Sequence, residues 1–567
     1  MTASLARPAA PKSALPGRLQ DVRPDTWIMA GIGLILALQF GEVFRRGINW
    51  DEFAHYNQLW EYERGNVTRA INTLYIHAFG WVKDLPGSAV DHIIVVRLFM
   101  YACELVTLCA IVGITQRFTD RTTGLLCALA YITFPFVFGH GYSFRFDPPS
   151  TALMICALWV LCVRPLDWKT IAVASLCIGT GLMVTLKIVL LIPAFAGVLW
   201  LRWSEDRFSP AFALKVALIA ALSVTVAGVI FVLQTLALGE DAVANSTSTA
   251  GGVGSIMFAL EAKPYWSKAA AVAVKAPLVT ALIILFGYCL SISNHTRPEK
   301  VALISLFFTL TTLIYYHNTA PYYYVFLMPW VLIACSVPMR WLTARYSPIV
   351  IGALLTVCGV LTYALQSESP IDKQRTIIKA AYETFPNGVA YFDFMGMIAQ
   401  YPKANGFVTK LNIKRQNAEG RSIYVEAMAK QPVPLLIRND RQFDALFYDP
   451  ANPPSLPNGV PIFTEQDAHA LVDTYIGFWG PFMIAGEIIP AGERPHSFTI
   501  RVPGPYTVTG SGVSIRGRQL KGGDVIELER GDYQVAGARE GETYLLWGDR
   551  LKPPAYPAPE RPHKPYW

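Results

Sequence analysis

Residues 27–56 read WIMAGIGLILALQFGEVFRRGINWDEFAHY, and this stretch decides the fold class. Its first part, 27–44, is an apolar run of the length a bilayer-spanning helix needs, about 20 residues. Its second part places Asp51 and Glu52 directly after that run, inside Asn49-Trp50-Asp51-Glu52-Phe53-Ala54-His55-Tyr56. Two acids beside a lipid interface are costly unless they are solvated or used. A carboxylate there can deprotonate an acceptor hydroxyl, the task an inverting sugar transfer sets. A structural role is equally open, since Asn49 or Asp51 can cap a helix lying at the interface.

The rest of the chain repeats the first pattern. Of 567 residues, 53% are hydrophobic and only 16% charged, and the mean hydropathy is +0.34. Soluble globular chains do not have this composition. Ten more apolar runs follow, near 91–115, 122–141, 149–163, 170–186, 188–201, 214–238, 267–291, 300–316, 321–338 and 348–366. The expected architecture is a polytopic α-helical membrane protein of about eleven transmembrane helices, spanning 27–366. The first residues, 1–26, are Pro/Ala-rich and basic, without the apolar stretch of a cleavable signal, and read as a cytosolic arm. With that arm inside, the cytosolic turns carry Arg117/Arg121, Arg164/Lys169, Arg202/Arg207, Arg297/Lys300 and Arg340/Arg345, a basic pair in each. An odd helix count sends the C-terminal region to the far side, the periplasm if the membrane is a bacterial inner (plasma) membrane. The net charge of +7 is modest and sits in these turns, so nucleic-acid binding is not indicated. All nine cysteines fall in apolar segments without metal-site spacing.

Three far-side loops stand out. The first, 45–90, is long and rich in Tyr and Trp, as interfacial helices are. The fourth, 239–266, contains STSTAGGVGS and reads as flexible. The fifth is a short turn at YYHNTAPYYY. Beyond 367 the hydrophobic runs shorten. Residues 367–470 read as a small α/β subdomain, with helices near 373–384 and 421–430 and strands near GVAYFDF and VPLLIR. Residues 471–552 read as a β-sandwich-like subdomain, and 553–567 as an extended Pro-rich tail. Trp479, Tyr506 and Trp547 in this region could form its core or stack on sugar.

A second acidic element, Tyr142-Ser143-Phe144-Arg145-Phe146-Asp147-Pro148-Pro149, lies in a far-side loop. Asp147 before Pro148 also fits a helix N-terminus, and Arg145 is a candidate phosphate partner. Lys187, in VTLKIVLLIP, sits where positive-inside bias does not account for it. It can neutralise a lipid-linked phosphate or snorkel from a helix end.

Taken together, an acidic pair opening a long first exoplasmic loop, a second acidic loop, a short late loop and a soluble C-terminal domain resemble the glycosyltransferase C superfamily. The likeness is to the branch of lipid A aminoarabinose transferases and protein O-mannosyltransferases. It implies a polyprenyl-phosphate-sugar donor and an acceptor that is a glycan, lipid or protein. By this resemblance Asp51 is the general base, with Glu52 and Asp147 supporting it. Lys187, Arg145 and His317 face the donor phosphate, and His55, Tyr56 and Tyr322 contact substrate. In the superfamily the second acidic loop binds a divalent metal in some members, so a metal at Asp51 and Asp147 is allowed though no spacing demands it. Many relatives carry Lys or Arg in the late loop, where this chain has His317 before Tyr322, Tyr323 and Tyr324. The chain has no GxxxxGK[ST] phosphate loop, consistent with a lipid-carried donor. The competing class is a transporter or lipid flippase with an extracytoplasmic accessory domain; acids clustered in far-side loops and the lack of repeated halves argue against it.

Overall fold

The computed structural model describes residues 23–560 except 240, 258–264, 367, 407, 409, 457–458, 493 and 537–540. Most of the expected cytosolic arm (1–22) and the end of the tail (561–567) lie outside the described residues. The chain divides into two compact units. The first comprises Met1–Val43, Arg69–Leu74 and Leu98–Ser367; the second comprises Phe44–Thr68, Tyr75–Arg97 and Glu368–Trp567.

Every apolar run becomes helix, because in lipid a segment must satisfy its own backbone groups. Among the described residues five helices are long and apolar enough to cross a bilayer: α1 (Pro24–Arg45), Ala89–Phe118, Leu186–Glu205, Pro210–Leu238 and Arg297–Tyr315. Two further runs are bent pairs, Trp266–Lys275 with Pro277–Ser291 at 101° and Tyr323–Ala334 with Ser336–Thr343 at 53°. The first of these breaks at Pro277, which has no N–H to continue the ladder. Three runs give shorter apolar helices, Asp147–Val163, Trp168–Val184 and Pro348–Ala364. The run at 122–141 is interrupted before Pro135, giving Arg121–Thr133 and Pro135–His140. Length and apolarity alone therefore qualify five crossings, or seven with the bent pairs, against the eleven expected.

Tyr323–Ala334 is buried along its whole length and forms the centre of the first unit's apolar core. Pro210–Leu238 is the opposite case, exposing Leu214, Val224, Leu233 and Leu236. An apolar helix that exposes its large side chains belongs in lipid. The stretch expected to be flexible, STSTAGGVGS, is instead part of a helix, Ala242–Met257. A tertiary tie overrides its weak propensity: the buried Ser246 hydroxyl accepts from the Ala70 N–H at 2.8 Å.

The second unit is built on a mixed sheet. Its strands are β1 (Tyr391–Phe392), β2 (Leu435–Ile437), β3 (Tyr475–Trp479), β4 (Phe482–Ile489), β5 (His496–Ile500) and β6 (Gly504–Gly510). They continue with β7 (Val513–Ile515), β8 (Arg518–Leu520), β9 (Val525–Leu528), β10 (Gly531–Val535) and β11 (Thr543–Trp547). Seven strands form one sheet in the order β1-β2-β4-β11-β6-β9, with β3 pairing on β4; β5–β10 and β7–β8 form two separate pairs. β1 and β2 are parallel, with Tyr391 opposite Leu435. β4 then runs antiparallel to β2, with Leu435 opposite Ile484. This pairing crosses the subdomain boundary drawn at residue 470, so the α/β and β-rich parts share one sheet. Val508 and Leu545 of that sheet share one apolar core with Phe498, Val513 and Tyr533 of the two small ribbons, so the β-rich part is two layers of strands over a common core. The strand expected over GVAYFDF is confined to Tyr391–Phe392, because Asp393 begins a turn. Residues 44–68 and 75–97 of the first loop cluster with the C-terminal residues.

Candidate active site

The first group of functional side chains opens helix α2 (Trp50–Glu63). Asn49 is its N-cap, and the Asn49 side chain accepts from the Asp51 N–H at 2.7 Å and from the Glu52 N–H at 3.4 Å. Glu52 reaches back to accept from the Asn49 N–H at 3.0 Å, completing a capping box. The two acids are separated by this geometry. Glu52 is fully buried and accepts from Arg97 through Nε at 2.7 Å and through an outer nitrogen at 2.6 Å. Arg97 is 1% exposed and also donates to the Arg46 and Gly47 carbonyls, at 2.7 and 3.0 Å. Glu52 is thus a structural carboxylate, a bidentate ion pair inside the protein. Asp51, one position earlier, is half-buried.

The other residues of the motif part in the same way. Tyr56 is 1% exposed, and its phenol lies 2.6 Å from His92 Nδ1. Burial pushes that phenol up to about 12. Expected as a substrate contact, Tyr56 is an interior residue, because the same helical turn that faces Asp51 outward turns position 56 into the core. His55 is half-buried, with its ring 5.0 Å from that of Tyr75.

The C-terminal residues brace this helix from several sides. Gln374 holds Ile48 through both amide atoms, each bond 2.8 Å. Phe394 stacks on Trp50 with ring centroids 5.8 Å apart. At the far end Arg64, the C-cap, donates to the carbonyls of Ala399 and Gln400 at 2.9 and 2.7 Å. Phe394 is itself fixed by a buried polar knot. The Asp393 carboxylate accepts from the Gly396 and Met397 N–H groups at 2.8 and 2.9 Å, from Asn439 at 2.8 Å and from Lys403 at 2.9 Å. Gly396 has φ +77°, the left-handed conformation that this turn requires and glycine adopts at little cost. Burial pushes the Lys403 ammonium below its ordinary value, and the Asp393 charge opposes that.

The second group lies in the first unit. Asp147 is the first residue of helix Asp147–Val163, and the cap position is Phe146, which makes no side-chain cap bond. The Asp147 side chain is therefore not spent on the helix N-terminus. It pairs with Lys187 and, at 3.4 Å, with Arg145 Nε. All three are buried, at 2%, 8% and 8% exposure. Their formal charges sum to +1. Arg145 lies over the Tyr322 ring, its guanidinium carbon 3.3 Å from the centroid, and Lys187 lies 4.9 Å from the centre of the Phe326 ring. Tyr322 donates to Asn318 Oδ1 at 2.9 Å. Lys187 thus points inward to a carboxylate instead of snorkelling from a helix end.

Asp147, Lys187, Arg145 and Tyr322 converge, which the sequence distances alone could not reveal. His317 is exposed in the non-helical segment before Tyr323. Among the described residues no group of three or more His, Cys, Asp or Glu side chains could hold a metal. Asp147 is a poor ligand for a cation, since two cations already share its carboxylate. Sequence reasoning passed over Arg97, Glu104 and the Asp393 knot. Arg97 and Glu104 could have been found as charges inside the run 91–115. Glu104 is 1% exposed and accepts from Gln39 at 3.0 Å.

The model of a family described as dolichyl-phosphate-mannose-protein mannosyltransferase matches residues 88–231. A search of curated proteins finds no match. Among solved structures, this chain is similar to ArnT from Cupriavidus metallidurans bound to undecaprenyl phosphate, at 11% identity and a TM-score of 0.51, over 74% of this chain and 94% of that one. It is also similar to the archaeal oligosaccharyltransferase AglB from Archaeoglobus fulgidus, in complex with an inhibitory peptide and a dolichol-phosphate. That match has 10% identity and a TM-score of 0.52, over 93% of this chain and 97% of that one. At such identities the likeness is one of fold.

Proposed function

We propose that this chain, a multi-pass membrane protein with the glycosyltransferase C fold, transfers a sugar from a polyprenyl-phosphate donor to a glycan, lipid or protein acceptor with inversion. The observation that carries this reading is the buried group of Arg145, Lys187 and Asp147, two cations gathered on one carboxylate beside the Tyr322 ring. Arg and Lys side chains are the residues that recognise phosphate oxygens, and the phosphate of a lipid carrier is an anion delivered at membrane depth. The solved relatives named above are bound to undecaprenyl phosphate and to dolichol-phosphate, which supports a lipid-linked donor.

In this reading Asp51 takes the proton of the acceptor hydroxyl, and the oxygen attacks the anomeric carbon. The bond from that carbon to the phosphate oxygen breaks, and its electron pair leaves with polyprenyl phosphate. Lys187 and Arg145 stabilise the charge that builds on the departing phosphate. Asp147 holds the two cations in place, and Tyr322 backs the Arg145 guanidinium. Glu52 and Arg97 orient the helix that bears Asp51. The two cations supply the countercharge, so no step is routed through a metal ion. In this reading the acidic loops and the C-terminal residues face the periplasm, opposite the turns that carry the basic pairs.

The test is transfer from a panel of synthetic polyprenyl-phosphate sugars by the purified protein, with Asp51→Asn alongside. Loss of a general base lowers the rate about 10²–10⁴-fold. Near-normal transfer or donor hydrolysis in that variant sinks the assignment of Asp51.

A further inference from the structure

The second unit carries three aromatics that a sugar could stack on, and the structure sorts them. Tyr506 is 1% exposed and donates to the Val502 carbonyl at 2.6 Å, so it is core. Trp479 is 7% exposed, and its indole N–H donates to the Tyr556 carbonyl at 3.1 Å, so the Pro-rich tail covers it. Trp547 is different. Its N–H is anchored on the Pro503 carbonyl at 3.2 Å, and its half-buried ring lines a cleft of about 370 Å³.

The chemistry of that cleft is specific. Asn387, Gln400 and Gln431 surround it, with Pro402 and Pro432 between them, and no charged residue lines it. All three amide side chains are exposed, and among the described residues none makes an intramolecular hydrogen bond. Each amide offers a donor and an acceptor side by side, the pattern that vicinal hydroxyls match. An indole face supplies the apolar contact for a pyranose ring. The absence of lining charge disfavours a phosphate or carboxylate ligand.

The cleft is also tied to the helix that bears Asp51. Gln400 lines it, and the Gln400 carbonyl is held by Arg64 at the C-terminus of α2. At 1.5 Å per residue this 14-residue helix is about 20 Å long. A chain of several sugars covers that length; a single sugar does not.

We propose that the cleft between Trp547, Asn387, Gln400 and Gln431 binds an uncharged stretch of an acceptor glycan, several sugars away from the hydroxyl that is glycosylated. This rests on the transferase reading given above. Trp547 packs against both cores of the unit, so the test substitutes surface amides instead. Full-length protein in nanodiscs is titrated with neutral linear gluco- and manno-oligosaccharides of two to eight units, followed by saturation-transfer NMR. The expected result is binding that tightens with length and weakens at least tenfold in Asn387→Ala/Gln431→Ala, with donor hydrolysis and thermal stability unchanged. No binding by folded wild-type protein, equal binding in the variant, or preference for a proline-rich peptide over every glycan overturns the proposal. Donor hydrolysis without glycan binding removes the cleft and leaves the transferase; glycan binding without hydrolysis of any donor does the reverse.

Discussion

Adjacent acids with opposite roles make a sharp prediction. Glu52→Gln keeps the capping box, since glutamine serves at the third helical position as well as glutamate. It removes the anion that Arg97 grips with two bonds of 2.7 and 2.6 Å. Arg97 then stays at 1% exposure with no carboxylate in that grip. Breaking one side of a buried ion pair costs about 3–5 kcal/mol. In a folding unit of this size each kcal/mol lowers Tm by about 2–4 °C, so the expected drop is roughly 6–20 °C. Asp51→Asn, at a half-buried position, should lower Tm by less than Glu52→Gln does. It should instead lower turnover about 10²–10⁴-fold. The assay is differential scanning calorimetry beside sugar transfer on the same preparations. A second arm replaces the pair with Glu52→Leu/Arg97→Met. This double variant should regain much of the stability lost in Glu52→Gln, because no charge is then left buried. Glu52→Gln with wild-type Tm and abolished transfer would refute the reasoning and make Glu52 the chemical acid.

Three further predictions follow from the same structure. Lys187→Met should weaken binding of polyprenyl phosphate about 10–100-fold, the loss of one charge-assisted bond worth about 1.5–3 kcal/mol; isothermal titration reads it, and unchanged affinity removes Lys187 from the donor site. Lys403→Met leaves the Asp393 carboxylate buried without its cation, so proteolysis within 393–403 should accelerate and transfer should fall through the Phe394–Trp50 stack; intact protease resistance with full activity contradicts that bracing. Burial raises Asp467 from its ordinary 3.8 to about 6. Its native form therefore binds a proton that the unfolded chain has released, and stability falls as pH rises from about 4 through 6, by on the order of 2–3 kcal/mol. Calorimetry across that range checks it, and Asp467→Asn should flatten the dependence that Asp467 causes.

What the sequence determined by itself is what depends on local composition. Each apolar run is a helix because a bilayer leaves a peptide segment no other way to satisfy its backbone, and the helix ends follow the prolines. The capping box at Asn49–Glu52 is local too, since its donors and acceptors lie within three residues. The motifs point to Asp51 and Asp147, and the structure gives each its surroundings. Packing alone settles which partner each acid takes. Glu52 is neutralised by Arg97, 45 residues away, and Asp147 by Lys187, 40 residues away. No periodicity records such distances, because a partner is set by how helices pack and not by its neighbours in sequence. The same holds for the sheet that runs through residue 470 and for the docking of the first loop on the C-terminal residues. The first closes a span of 49 residues from Leu435 to Ile484 and the second one of 326 from Ile48 to Gln374, and both are chosen by burial and complementarity after the local elements exist.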